Sequence, residues 1–151
     1  MITTIIAVVG TLAGALLTGA LAHLSQRAQR KADTDTTRRT EGLAAVTDLI
    51  TALTDHRRTM WIREDLRLRG EDWTQARTES HTTRSAITAP LLRVQLLLPS
   101  LAPDARAAAQ ATYALRGAED GEALTAARDA SLAADEHLLT KAGHLLGAPA
   151  S

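Results

Sequence analysis

Cysteine and phenylalanine are both absent from the 151 residues, which hold one tyrosine and two tryptophans. Without cysteine there is no disulfide framework, no thiolate metal site and no cysteine nucleophile. Three aromatic rings are too few for the stacking platforms that hold single-stranded nucleic acid. Glycine (9) and proline (4) are scarce beside 30 alanines and 23 leucines, a mixture that favours helix over sheet. Lysine is scarce as well, with two against 15 arginines, and the 17 basic and 17 acidic residues leave a formal net charge of zero. What is present is apolar: 45% of the chain, enough for a core and too much for wholesale disorder. The length fits one domain with a tail or anchor attached.

Charge is missing from one stretch altogether. From Ile2 through Gln26 there is no Asp, Glu, Lys or Arg, and residues 5–24 (IIAVVGTLAGALLTGALAHL) are almost wholly apolar or small. As a helix this run spans roughly 30 Å, the thickness of a bilayer's hydrocarbon core. A secretory signal is the competing reading, from Ala20-Leu21-Ala22 before His23, but Met-Ile-Thr-Thr supplies no positive n-region. A buried core helix would be unusually long, and an interfacial helix needs a charged face. The expectation is therefore a transmembrane helix over 1–25, with membrane lipid as its surroundings. Arg27, Arg30, Lys31, Arg38 and Arg39 follow it, so the positive-inside rule sets the N-terminus outside and the rest in the cytoplasm. Two rows of small residues, Gly10/Gly14/Thr18 and Ala7/Thr11/Ala15/Gly19, would let helices approach closely, and they predict a homo-oligomer larger than a dimer.

Residues 26–42 are polar all round and read as a juxtamembrane helix or a hinge near Thr36 and Gly42. Asp33, Asp35 and Glu41 offset the basic cluster, which argues for lipid headgroups and against nucleic acid. Residues 43–147 predict an all-α, up-down antiparallel bundle of about four helices, and 148–151 a frayed tail. The first stripe is Leu43, Val46, Ile50, Leu53, Arg57, Met60 and Glu64, stopped by Gly70. The second helix runs from Trp73 to about Leu98, capped by Asp72 with Gln75 at the third position, and kinks near Pro90. The third, capped by Ser100, shows Ala105, Ala109 and Thr112, with Tyr113 beside them. The fourth, capped by Asp120, aligns Leu124, Ala127, Ser131, Ala134, Leu138 and Leu145.

The polar residues inside these stripes predict an interhelical network of His56, Arg57, Glu64, Arg77, His81 and Arg84. With the turn at Gly70, His56 and Arg84 fall at similar heights and Glu64 near Arg77 or Ser80. Metal would need three or four converging ligands, and no H-E-x-x-H or paired E-x-x-H motif is present. Ser80 and His81 are neighbours on one helix, so they diverge by about 100° and make no dyad. His137, Lys141 and His144 suit the last turns of a helix as dipole partners. No catalytic residue, metal or cofactor is expected, and the chain does not read as an enzyme.

Several blocks carry a family likeness. They are Thr4–Gly14 (TIIAVVGTLAG), Leu53–Trp61 (LTDHRRTMW), Ser80–Pro90 (SHTTRSAITAP) and Gln110–Arg116 (QATYALR). They resemble the KilB-type small membrane proteins of actinomycete conjugative plasmids and their chromosomal relatives. That resemblance implies a membrane-bound accessory protein connected with plasmid transfer or spread between hyphae, toxic when unregulated, with a protein partner in a transfer apparatus. The expectation is a non-enzymatic, self-assembling scaffold or pore-like component. The alternative is a membrane-tethered adaptor or regulator whose bundle binds a partner protein.

Overall fold

The computed structural model describes the backbone of residues 2–147 and the side chains of 26, 29, 30 and 33–147. The sequence assigned helix–helix packing in the membrane to Gly10, Gly14 and Thr18 in one row and to Ala7, Thr11, Ala15 and Gly19 in the other. All of these lie outside the described side chains, as do the 5–24 run, Arg27 and Lys31. Among the described residues no helix is long and apolar enough to cross a membrane. The transmembrane expectation, and with it self-association through Thr11, Ala15, Thr18, Gly19 and their neighbours in the two rows, therefore rests on the sequence. Arg30, Arg38 and Arg39 are exposed.

Among the described residues there are five helices: α1 (Ile2–Leu68), α2 (Thr74–Ala86), α3 (Thr88–Leu97), α4 (Ala102–Tyr113) and α5 (Gly121–Gly147), with a 3-10 turn at Pro99–Leu101. No strand occurs among them. By contacts the chain divides into Met1–Arg38 and Arg39–Ser151. In the first unit, threonines remain helical by bonding back to the chain: Thr34 Oγ1 donates to Arg30 O at 2.8 Å and Thr37 Oγ1 to Asp33 O at 2.9 Å.

The second unit is the bundle, and its direction follows from paired residues. Along α1, Asp48, His56 and Arg63 meet Arg93, Thr83 and Ser80 in turn, so numbers rise on one helix as they fall on the other. Arg57 of α1 meets Asp135 of α5. Gly42 lies against Leu146, which sets the same antiparallel sense. Asp104 with Lys141, and Thr112 with Ser131, run α4 antiparallel to α5. The order is up-down-up-down, with α2 and α3 sharing one leg.

That shared leg is where proline acts. Pro90 has no N–H to give Ala86, so the helix divides at Ile87, which donates instead to Arg84 O at 3.3 Å. Ile87 keeps helical angles (φ −70°, ψ −29°) and is fully buried, so the kink is held by packing. Capping differs from the sequence expectation in two places. Asp72 Oδ1 accepts from Thr74 N at 2.9 Å, but Gln75 reaches forward to Glu79 and closes no capping box. Ser100 lies inside the 3-10 turn and caps nothing; Leu101 occupies the position before α4. Asp120 does cap α5, accepting from Ala123 N at 2.8 Å.

The core falls into two apolar clusters. The larger gathers Leu49, Leu53, Ile87, Val94, Leu101, Ala105, Ala109 and Leu138, among others; the smaller holds Met60, Leu115 and Leu124. Alanine on α4 brings it close to α5, as small faces allow. Two leucines expected inside are outside, Leu43 and Leu145, and their places are taken by Leu49 and Leu146. Gly42 is a point of close approach: a Cβ there would meet Leu98 and Leu146 side chains at 3.2 Å.

Gly70 ends the α1 leg with φ +71° and open space around it, so a side chain there meets only backbone strain. Gly70→Ala is expected to lower the unfolding free energy by about 1–2 kcal/mol in denaturant melts. A loss near zero would mean the turn shifts into another conformation.

Candidate functional site

Between the two apolar clusters the bundle carries polar side chains, and they sort into two sets. The first faces α5. Arg57 Nη1 donates to Asp135 Oδ2 at 2.5 Å and to Ser131 Oγ at 3.2 Å, while Nη2 reaches Thr54 Oγ1 at 3.2 Å. Thr112 Oγ1 gives its proton to Ala108 O at 3.0 Å, so Ser131 is the donor in the 2.9 Å bond between the two hydroxyls. Direction therefore runs from the guanidinium through Ser131 and Thr112 into the α4 backbone. Asp135 Oδ1 is buried with no hydrogen-bond partner among the described residues. Burial lifts the Asp135 carboxyl above its usual range, against the pull of Arg57.

The second set faces α2. His56 Nδ1 lies 2.9 Å from Thr83 Oγ1, and that hydroxyl also donates to Glu79 O or Ser80 O. With its one proton spent there, Thr83 accepts from His56, which places the ring proton on Nδ1. His56 is 2% exposed and packs edge-on against Tyr113, ring centroids 5.8 Å apart. Burial, then the charges of Arg84 and Arg63, push its pKa down to about 4. The Arg84 guanidinium stacks 3.8 Å over the Tyr113 ring. Arg63 reaches Ser80 Oγ at 3.4 Å and lies over Trp73, which Arg77 also covers.

Glu64 is placed differently from the expectation. It is 1% exposed and pairs along its own helix, with Arg67 Nε at 2.6 Å and Arg63 Nε at 3.5 Å, and not with Arg77 or Ser80. Arg67 in turn donates to Ala118 O, tying the end of α1 to the loop before α5. Of the six residues expected in one network, His56 and Arg84 share a cavity with His81, Arg57 belongs to the α5 set, and Arg77 is exposed on Trp73. His137 and Lys141 face Asp104 at 3.4 and 2.8 Å, where the ammonium holds the carboxyl below its usual range. This replaces the dipole role read from their positions; His144 is the member left in the last turn. Among the described residues no group of three His, Asp or Glu is placed to hold a metal.

Sequence reasoning missed Asp135, Arg63 and Arg116 as members of these sets, and placed Tyr113 on the third helix without its partners His56 and Arg84. Asp135 was findable: it follows Ser131 by four and precedes Leu138 by three, on the buried stripe of α5. Two concavities open at these sets. A groove of about 520 Å³ is lined by Thr54, Arg57, Arg58, Trp61, Arg128 and Leu132. A smaller cavity of about 220 Å³ lies against His56, Arg63, Ser80, Arg84, Tyr113 and Arg116.

Residues 43–146, which contain both sets, match the family model described as KilB plasmid transfer protein. The chain belongs to the KilB family. Protein KilB of Streptomyces lividans is 54% identical to it over 151 residues, covering 98% of this chain and 100% of that protein. No solved structure matches. In this KilB-family chain the matched region is thus the helical bundle with its two polar sets.

Proposed function

We propose that this KilB-family protein is a non-enzymatic, membrane-anchored assembly component of plasmid transfer. Residues 5–24 hold it in the cell membrane with the N-terminus outside, and the bundle stands in the cytoplasm. Copies associate through the anchor into a scaffold or pore-like oligomer larger than a dimer. Beyond the small-residue rows of the anchor, the observation that supports assembly is the bundle's outer surface: Leu92, Leu96, Leu132 and Leu139 are exposed, Leu96 at 79%. Leu92/Leu96 and Leu132/Leu139 recur at helical spacing, so each pair shares a face on α3 and α5 respectively. The family description, plasmid transfer, supplies the process.

A second reading, an adaptor that binds a partner protein, draws on the open groove beside Trp61 and Leu132. Mass measurement of the full chain in mild detergent separates the two. The expected result is a defined multimer above a dimer, reduced in size by Gly14→Leu and unchanged by Leu16→Ile. A monomer would favour the adaptor, and equal masses for wild type and Gly14→Leu would remove the small-residue rows from the account. Recovery of the full chain in the soluble fraction would overturn the anchor.

A further inference from the structure

The cavity on the α2 side has a charge imbalance that the fold alone does not use. Three guanidiniums, Arg63, Arg84 and Arg116, line one concavity of about 220 Å³, and no carboxylate lines it with them. Among the described residues neither Arg84 nor Arg116 has an ion-pair partner. Arg63 is 9% exposed, yet its Nε makes no hydrogen bond; Glu64 Oε1 stands 3.5 Å away and is itself without one. Glu64 is shared with Arg67, so one carboxylate serves two cations before the cavity is reached. The charges acting on Arg63 are one carboxylate against the guanidiniums of Arg116, Arg77 and Arg67. Like charges gathered in a partly dry site repel one another, and an anion among them relieves that repulsion.

The shape narrows the anion. The walls come from α1, α2 and the segment just after α4, and the Tyr113 ring backs the Arg84 guanidinium, fixing its plane. Ser80 Oγ, whose proton goes to Arg77 O at 2.7 Å, accepts from Arg63 and steadies the guanidinium at that end. Such a fork-shaped, concave group of donors matches three terminal oxygens of a tetrahedral dianion. A nucleic-acid backbone presents singly charged phosphodiesters along a line, which calls for an extended basic stripe and not one concave corner. We infer that this cavity binds a terminal phosphate, the phosphomonoester group of a small metabolite or of a lipid headgroup. His56 lies in the same field: burial lowers its pKa first, and the charges of Arg84 and Arg63 add a smaller part that bound phosphate offsets.

The test uses the full chain in mild non-ionic detergent, with inorganic phosphate titrated at constant ionic strength. The His56 ring resonance is expected to shift and saturate. Arg116→Gln and Arg84→Gln should each weaken binding by about tenfold, the worth of one charged hydrogen bond. Arg58→Gln and Arg128→Gln, at the other groove, should leave it unchanged. Arg116 is exposed, so its variant keeps the fold even if loss of the Arg84–Tyr113 stack disturbs the other. Glycerol 3-phosphate and short-chain phosphatidic acid then separate the sources: equal affinities assign a soluble phosphomonoester, and a tenfold preference for the lipid assigns a headgroup. A shift that never saturates, or one that Arg116→Gln and Arg84→Gln leave intact, overturns the site.

Discussion

Replacing Asp135 by alanine is expected to lower the unfolding free energy by about 3–5 kcal/mol, the range for stranding one member of a buried ion pair. Arg57 loses its 2.5 Å partner and keeps only the neutral oxygens of Ser131 and Thr54, in a layer that leaves its side chain about 10% exposed. Water cannot readily replace the carboxylate at that depth. The double variant Arg57→Met with Asp135→Leu should be far closer to wild type, because two charges leave the interior together. Denaturant melts of wild type and the two variants decide this. A loss below about 1 kcal/mol in Asp135→Ala would mean the guanidinium swings out to solvent.

Acidification is expected to cost the fold about 3 kcal/mol between pH 6.5 and pH 4, through His56 alone. Its folded pKa is about 4 against an ordinary 6.5, so the unfolded chain takes up the proton first as pH falls. The contribution is intact above the unfolded value, declines through that window and levels off below the folded one. Asp135 works in the other direction. Its folded carboxyl binds a proton more readily than the unfolded one, so protonation favours the native state as pH falls through its raised pKa. The His56 share is therefore read as a difference: the pH slope of wild-type stability minus that of His56→Gln. An unchanged slope in His56→Gln would show that the ring titrates at its ordinary value.

The helices were legible because alanine, leucine, glycine and proline fall where a bundle requires them: Gly70 and Gly117 at turns with positive φ, Asp120 at a cap, Pro90 at a kink. Interior polarity was legible only from one side. The stripe of α1 showed Arg57 and Glu64 pointing inward, but a stripe does not name the partner across the bundle. Arg57 found Asp135, more than seventy positions away, whereas Glu64 settled on its neighbour Arg67. Which carboxylate pairs across helices and which along one depends on azimuth and height, and those emerge only when the helices pack. The cavity beside Arg84 was hidden for the same reason. Arg116 sits just past the end of α4, where helical spacing no longer predicts direction.

The polar layer between the two apolar clusters also numbers the helices against each other. Apolar contacts are less particular: Leu49 and Leu53 pack among apolar neighbours that carry no directional bond, so a leucine of another turn of α5 meets them without stranding a polar group. Arg57 is not tolerant. Sliding α5 by one turn toward its N-terminus would set Leu138 or Leu139 against the guanidinium and carry Asp135 toward the Met60, Leu115 and Leu124 cluster, losing two charges' worth of pairing at once. A buried ionic rung between apolar layers thus leaves α1 and α5 one alignment. In a chain this rich in interchangeable small and apolar residues, that rung keeps staggered copies of the same bundle from competing with the true one.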